Sequence, residues 1–282
     1  MPGPQPLEPF DSTWSSAIRE WCDYLIAGGL SPHTLALRQK QIGELSRDTS
    51  VPFNALSSND VTRWAAGKKW APNTRRSFRS TLLLFWTFTH RDDLLGALPR
   101  VKVPHHQLEP CPDDVYFDAM SRADQRTRLI LRLAREAGLR REEVAHIKSR
   151  SLYQVPVTGW TLHVIGKGDK YRQVPATDAL CGEIVHQRES GGVWLFPGVN
   201  GHLSASWVAD LASVVLPSPW TLHSLRRAFA TAAYFNGGRD LIAVSQLLGH
   251  SSVATTMQYI GVTVAHLRDV VESAAPQAAR LE

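Results

Sequence analysis

LHSLRRAFATAAYFNGGRDLIAVSQLLGHSSVATTMQY, residues 222–259, holds His223, Arg226, His250 and Tyr259 in one run. His223 and Arg226 stand three residues apart in a helical pattern and so project from one helix face, with Arg227 pointing elsewhere. His250 follows Gly249 at a turn, and the Ser251–Ser252 pair caps a short helix ending near Tyr259. Two imidazoles, a guanidinium and a phenol suit phosphoryl chemistry. Arginine reads phosphate with a planar fork, histidine exchanges protons near neutral pH, and tyrosine serves as a covalent nucleophile. Taken alone, the same residues have plainer readings. A tyrosine at a helix end is ordinarily packing, and a single histidine is ordinarily a satisfied polar group. Residues 239–260, with a glycine at the turn and apolar residues at helical spacing, also read as a helix-turn-helix. The surrounding chain has to decide.

Composition narrows the classes. The 282 residues suffice for one large domain or two ordinary ones, and 43% apolar with 20% charged residues describes a soluble globular chain. No run of about 18 uninterrupted apolar residues exists, so a membrane span is not expected. The start, MPGPQPLEPFDSTW, lacks the basic-then-apolar layout of a secretory signal. Cys22, Cys111 and Cys181 lie far apart, with no spacing for zinc or a disulfide framework, and fit a reducing cytoplasm. A net charge of +5 permits a nucleic-acid partner without requiring one. Its distribution says more. Residues 61–80 carry Arg63, Lys68, Lys69, Arg75, Arg76 and Arg79 with no acidic side chain, and Trp64 and Trp70 sit among them. That is either a solvated basic face or a surface that tracks phosphates.

In chain order, residues 1–11 read as a mobile proline-rich tail. Trp14, Ile18, Trp21 and Leu25 form a helical stripe ending at Gly28–Gly29, and Ser31–Pro32 opens a second helix to about Arg47. A third runs from Ser58 to about Gly67, and a fourth begins after Ala71 and reaches about His90, so residues 12–97 make a compact helical bundle. LPRVKVPHHQLEPCP, residues 98–112, holds four prolines and marks an interdomain linker. Residues 113–282 form the second domain. Helices near 113–121 and 123–137 end at Gly138, and a further turn follows Arg140 with Glu142, Glu143 and Val144. The period then changes: WTLHVIGKGDKYRQVP, residues 160–175, alternates apolar and polar residues around a glycine-rich turn and predicts a β-hairpin. The expected fold is mostly α with a small antiparallel β-sheet, an α+β domain preceded by a helical bundle.

Two upstream residues add chemistry. Arg140 directly follows a helix-ending Gly-Leu, where an arginine either complements the helix C-terminus or stands pre-organised for phosphate. Glu143, three residues on, is placed to hold a neighbouring basic group. Lys167 lies in GKGDK at the hairpin tip, either a solvated turn lysine or a mobile ammonium acting as a general acid. It belongs to no Walker loop, because no second Gly-Lys-Ser/Thr follows.

The chain supplies AGLRREEV, a hairpin lysine 27 residues beyond Arg140, HSLRRAFAT, LLGHSS, and Tyr259 nine residues after His250. In this order and spacing these motifs resemble the tyrosine recombinases, the family of phage integrases and Xer-type resolving enzymes. The resemblance covers about residues 113–272 and extends loosely to the N-terminal bundle, which looks like the family's core-site DNA-binding domain. It implies that Arg140 and Arg226 clamp the non-bridging oxygens of the scissile phosphate and that His250 adds a hydrogen bond to them. Tyr259 would attack phosphorus to give a 3′-phosphotyrosine, Lys167 would protonate the departing 5′-oxygen, and His223 would accept the tyrosine proton. No metal or other cofactor is implied.

The resemblance further implies a clamp of two domains closing on double-stranded DNA core or attachment sites. The second and fourth helices of the bundle would enter the major groove, with Arg38 and Lys40 on one, Arg75, Arg76 and Arg79 on the other, and Lys68 and Lys69 between. It implies a homotetramer on synapsed DNA, a monomer free in solution, and a directionality factor as an open question. About 11 residues precede the first helix, which fits a simple form without an arm-binding domain. Arg227 occupies a place where many members have histidine, a departure expected to be inconsequential. Val264, Leu267, Val270 and Val271 form an apolar stripe for a C-terminal helix that packs on a neighbouring subunit or on its own domain. Two other functions compete: a type IB topoisomerase-like enzyme, and a non-catalytic DNA-binding regulator using the 239–260 segment.

Overall fold

The computed structural model of the chain describes residues 11–102, 109–156, 159–166, 170–189, 192–199, 201–250 and 252–261, with Arg268 and Val271. The chain divides into two compact units, Met1–His106 and Gln107–Glu282. The tail before Asp11, Lys167, Val264, Leu267 and Val270 lie outside the described residues.

The first unit is built from α1 (Ser12–Ala27), α2 (Pro32–Thr49), α3 (Ser58–Ala66) and α4 (Pro72–Phe88). Local chemistry sets each start. The Asp11 carboxylate accepts the backbone N–H groups of Thr13 and Trp14, and Ser31 precedes Pro32 at the first turn of α2. Ser57 and Asp60 cap α3 reciprocally, and Pro72 opens α4. The core is aromatic. Trp14, Trp21, Phe85 and Trp86 are almost completely buried, with ring centroids 5.0 Å apart for Trp14–Phe53 and 5.1 Å for Trp21–Phe85. The Trp14 indole N–H donates to Val51 O at 2.8 Å, satisfying its one polar atom. Between α2 and α4, Gln41 accepts from Thr81 at 2.7 Å and donates to Ser77 at 3.0 Å.

The second unit holds α5 (Asp113–Arg122), α6 (Gln125–Glu136), α7 (Arg141–Ala145), β1 (Leu152–Val155), β2 (Gly159–Ile165), β3 (Tyr171–Pro175), α8 (Asp178–Glu189), β4 (Pro197–Gly198), β5 (Gly201–His202), α9 (Ala205–Val215), α10 (Leu222–Asn236), α11 (Leu241–Leu248) and α12 (Val253–Met257). It is mostly helical with small antiparallel sheets, as the sequence predicts. α6 is its axis: Leu129, Ile130, Leu131, Leu133 and Ala134 are all buried, and α8, α9 and α10 pack around it. The hairpin β2–β3 gains a third strand, because β1 pairs antiparallel with β2 through Leu152↔Leu162 and Thr161↔Tyr153. Four residues directly after a helical turn are too few for a strand period to show in the sequence. Leu152, Leu162, Val164 and Val174 turn to the core, so the alternation fixes which way the hairpin faces.

Residues 99–102 and 109–112 form no helix, and Cys111 joins the second unit's core, its N–H donating to Ser224 O at 3.1 Å. The three cysteines are free thiols. No helix among the described residues is long and apolar enough to cross a membrane. Replacing Trp21 by Ala removes a ring buried to 1% exposure, and it should cost about 3–5 kcal/mol of unfolding free energy in a urea titration of the full chain. A loss below about 1 kcal/mol would show that this core relaxes around the gap.

Candidate active site

Glu143, on α7, is the buried charge on which the site is assembled. Its carboxylate is 4% exposed and accepts from Arg140 Nη1 at 2.8 Å and from the Arg140 backbone N–H at 2.8 Å. Arg172, on β3, binds it with a two-pronged fork at 2.7 Å on each oxygen, and Arg226 Nη1 lies 3.6 Å away. Burial pushes the Glu143 carboxyl up, but the hydrogen bonds and charge of Arg172 outweigh it and hold the group below the ordinary carboxylate range. Arg172 carried no motif signal in the sequence. It also donates Nε–H to Leu247 O at 2.7 Å, so one guanidinium joins β3, α7 and the end of α11.

Arg226, on α10, is fully buried. Its Nη1 donates to Gly138 O, and its Nη2 donates to Leu248 O at 2.6 Å. Gly138 has φ +63° and a Cβ there would lie 2.4 Å from the Phe229 ring, so only glycine lets the end of α6 turn tightly against α10. This turn brings Arg140 beside Arg226. Burial, and then the neighbouring Arg140 charge, lower the Arg226 pKa to about 10, which leaves it cationic at neutral pH. Its Nε–H is buried with no acceptor among the described residues, as is the Nε–H of Arg227.

The remaining predicted residues converge on the same place. α11 ends at Gly249 with φ +62°, against which the Arg172 side chain packs, and the next residue is His250. His250 Nε2 lies 3.2 Å from Arg226 Nη2, which has only hydrogens to offer, so Nε2 accepts and Nδ1 carries the proton donated to Thr256 Oγ1 at 2.9 Å. Burial and the Arg226 and Arg140 charges favour the neutral ring and depress its pKa to about 4. His223, on the first turn of α10, keeps an exposed edge. The protein packed around it, and then Arg227 and Arg226, still hold it well below the ordinary imidazole value. The Tyr259 ring, half-buried, sits 5.1 Å from His223 and 4.7 Å from His250, centroid to centroid.

Arg226 Cζ lies 5.7 Å from the Tyr259 centroid and Arg227 Cζ 5.3 Å. Arg227 therefore does not point away from the site. Arg227 stands four residues after His223, and the i+3 and i+4 positions both neighbour position i on a helix, so Arg226 and Arg227 alike reach the tyrosine ring. Arg140, His223, Arg226, His250 and Tyr259 are thus brought together, and Glu143, Arg172 and Arg227 join them. The position of Lys167 is not among those described, but Gly166 before it abuts Glu143: a Cβ on Gly166 would meet Glu143 Oε1 at 3.4 Å.

In the first unit the basic residues fall into two groups. Lys68 is held by Glu44 at 2.8 Å and Asp48 at 2.6 Å and lies over the Trp64 and Trp70 rings. Arg75 donates to the carbonyls of Ala65 and Lys68, and Arg79 to Leu98 O. Arg38, Lys40, Lys69 and Arg76 make no hydrogen bond or ion pair among the described residues, and Arg38 and Arg76 border a shallow groove between α2 and α4 with Thr34 and Asn73. No group of three or more His, Cys, Asp or Glu side chains that could hold a metal ion occurs among the described residues.

The histidines set a pH signature. With a folded pKa depressed from 6.5 to about 4, the stability supplied by neutral His250 is complete above pH 6.5 and is lost as pH falls toward 4, because the unfolded chain takes up the proton first. The thermal midpoint should drop between pH 7 and pH 5, and the drop should shrink in His250→Gln; equal drops in both proteins would remove His250 from the account.

Known proteins share this arrangement of sequence and fold. The phage integrase family matches residues 114–266. The tyrosine recombinase XerC of Nitrobacter winogradskyi is 31% identical over 303 residues, covering 93% of this chain and 94% of that protein. The XerC of Mycobacterium bovis is 31% identical over 302 residues, covering 93% and 99%. Among solved structures, a lambda integrase dimer bound to a COC′ core site is 18% identical with a TM-score of 0.71, covering 88% of this chain and 77% of that one. The XerA recombinase is 22% identical with a TM-score of 0.51, covering 94% and 99%. At such identities these two structures speak for the fold. The chain belongs to the phage integrase family of tyrosine recombinases and is a tyrosine-type site-specific DNA recombinase.

Proposed function

We propose that Tyr259 is the nucleophile and that the cluster around Arg226 binds the phosphodiester it attacks. One observation carries this: the fully buried Arg226 guanidinium, whose Nε–H has no acceptor among the described residues, lies against His250 and the Tyr259 ring, with Arg140 and His223 beside them. A buried cation surrounded by other cations is costly, and an anion bound beside it offsets the charge that the single Glu143 carboxylate leaves. Arg140 and Arg226 hold the non-bridging oxygens, where negative charge grows in the transition state. The phenol oxygen forms a bond to phosphorus, its proton passes to His223, and the bond to the 5′-oxygen breaks as Lys167 protonates that oxygen. The depressed pKa of His223 leaves it neutral and able to accept the proton. His250 adds a hydrogen bond to the phosphate. This requires a proton on Nε2, which an incoming anion favours. The product is a 3′-phosphotyrosine and a free 5′-hydroxyl. Because the ester keeps the phosphodiester energy, religation needs neither ATP nor a metal.

The partner is duplex DNA carrying a core or attachment site, which the two units would grip as a clamp. We assign phosphate contact to Arg38, Lys40, Lys69 and Arg76, whereas Lys68, Arg75 and Arg79 stiffen the bundle beneath them. Assembly as a homotetramer on two synapsed duplexes from monomers in solution, with a directionality factor choosing the product, fits a cytoplasmic enzyme of this kind.

The decisive experiment uses a nicked duplex bearing the chain's core site, with no added metal, and looks for a denaturation-resistant protein–DNA adduct. The expected result is an adduct with the wild type and none with Tyr259→Phe, which still binds. An adduct retained by Tyr259→Phe overturns the assignment. For the bundle, the double variant Lys69→Ala/Arg76→Ala should flatten the salt dependence of DNA binding by about 2 in log–log slope, about one for each lost phosphate contact. An unchanged slope places the DNA elsewhere.

A further inference from the structure

α10 presents His223, Arg227 and Thr231 at four-residue intervals, so the three side chains stack along one face. Each meets a different part of the tyrosine-bearing segment. The His223 ring lies against the Tyr259 ring. Arg227 donates Nη2–H to Gln258 O and spreads its guanidinium over the Tyr259 ring, 5.3 Å from the centroid. Thr231 donates Oγ1–H to Tyr259 O at 3.4 Å and accepts the Gly261 N–H at 3.0 Å. These contacts bracket the tyrosine from the residue before it to the second residue after it.

The segment is also held from the end of α11, where His250 donates to Thr256 Oγ1 at 2.9 Å and lays its ring against Tyr259. α12 is five residues long and buries only Thr256, and the apolar contacts available to Tyr259 are the edge of a small cluster of Ala230, Val244 and Leu248. Arg227 is 8% exposed, and its one hydrogen-bond acceptor among the described residues is the Gln258 carbonyl. Burying a guanidinium is costly, and here the charge-assisted bond and the cation–π contact that offset it both go to the tyrosine segment.

We propose that Arg227 and Thr231 are positioning residues that dock Tyr259 on α10 of its own subunit and set its line of attack. The inference rests on the reading of Tyr259 as the nucleophile. It gives a role to the arginine that stands where the family often has histidine. It also implies that this chain aims its tyrosine with a fixed cation and a backbone grip.

The test measures single-turnover adduct formation on the nicked duplex together with DNA affinity and hydrogen exchange of residues 253–261 in the DNA-free protein. Arg227→Ala should slow the adduct step between about 10- and 100-fold at near-unchanged affinity, as expected when a nucleophile loses its near-attack geometry. Exchange in 253–261 should rise while α6 stays protected. Arg227→Lys should recover part of the rate, because an ammonium keeps the ring contact without the fork. Thr231→Val should show a smaller loss of the same kind. An unchanged adduct rate in Arg227→Ala, or a slowed rate with unchanged exchange in 253–261, overturns the proposal; the second result would make Arg227 a phosphate ligand. Should Arg227→Ala lose DNA binding altogether, Thr231→Val decides, and a wild-type rate and exchange there overturns it. An adduct from Tyr259→Phe would instead remove the nucleophile assignment on which the inference stands.

Discussion

Three guanidiniums cannot share one small volume unless something negative lies among them, and in this chain that is the Glu143 carboxylate. It is almost wholly removed from water, and it is bound by Arg140 and Arg172 and approached by Arg226. Coulomb repulsion between cations grows as the dielectric falls, so a buried arginine cluster is stable only around a buried anion. Glu143 does more than neutralise. Its two oxygens orient the forks of Arg140 and Arg172, and through Arg172 it reaches the Leu247 carbonyl just ahead of Gly249 and His250. One carboxylate therefore ties together α7, β3, α10 and the end of α11.

The balance around it is deliberately incomplete. Three guanidiniums face one carboxylate, which leaves excess positive charge, and the Arg226 Nε–H has no acceptor among the described residues. The excess has two effects. It gives the site a net positive charge, and it adds to burial, the larger cause, in keeping both neighbouring histidines neutral, since an imidazolium would be a further buried cation. A neutral imidazole is the form in which a histidine takes up a proton. In the proposed reaction the same surroundings that would favour a phosphate also leave a neutral imidazole beside the phenol.

The first unit solves a different problem. Its core of indole and phenyl rings is rigid, and several of its basic residues are spent on the fold: Lys68 on Glu44 and Asp48, Arg75 and Arg79 on backbone carbonyls. Committing them removes rotamer freedom near the groove between α2 and α4, and Arg38, Lys40, Lys69 and Arg76 are left without side-chain partners among the described residues. A basic run in the sequence is consequently a mixture of residues bound into the fold and residues left at its surface, and only packing separates the two.

The sequence by itself determined the helices of the bundle, whose starts are written in Asp11, Ser31–Pro32, Ser57–Asp60 and Pro72, because caps act over three or four residues. It determined the hairpin from its alternation, and the motifs around Arg140, His223, Arg226, His250 and Tyr259 from their spacing. It did not reveal β1, which is too short to show a period. Nor did it reveal Arg172, which has no motif of its own and gains meaning only where β3 meets α7, 29 residues away in the chain. The i+3 spacing from His223 picked out Arg226 and placed Arg227 off the site, although the i+4 position shares that face. Local hydrogen bonds are encoded locally, and the tertiary structure alone decided which distant charges share one buried volume, because that depends on how α6, α7, β3, α10 and α11 pack.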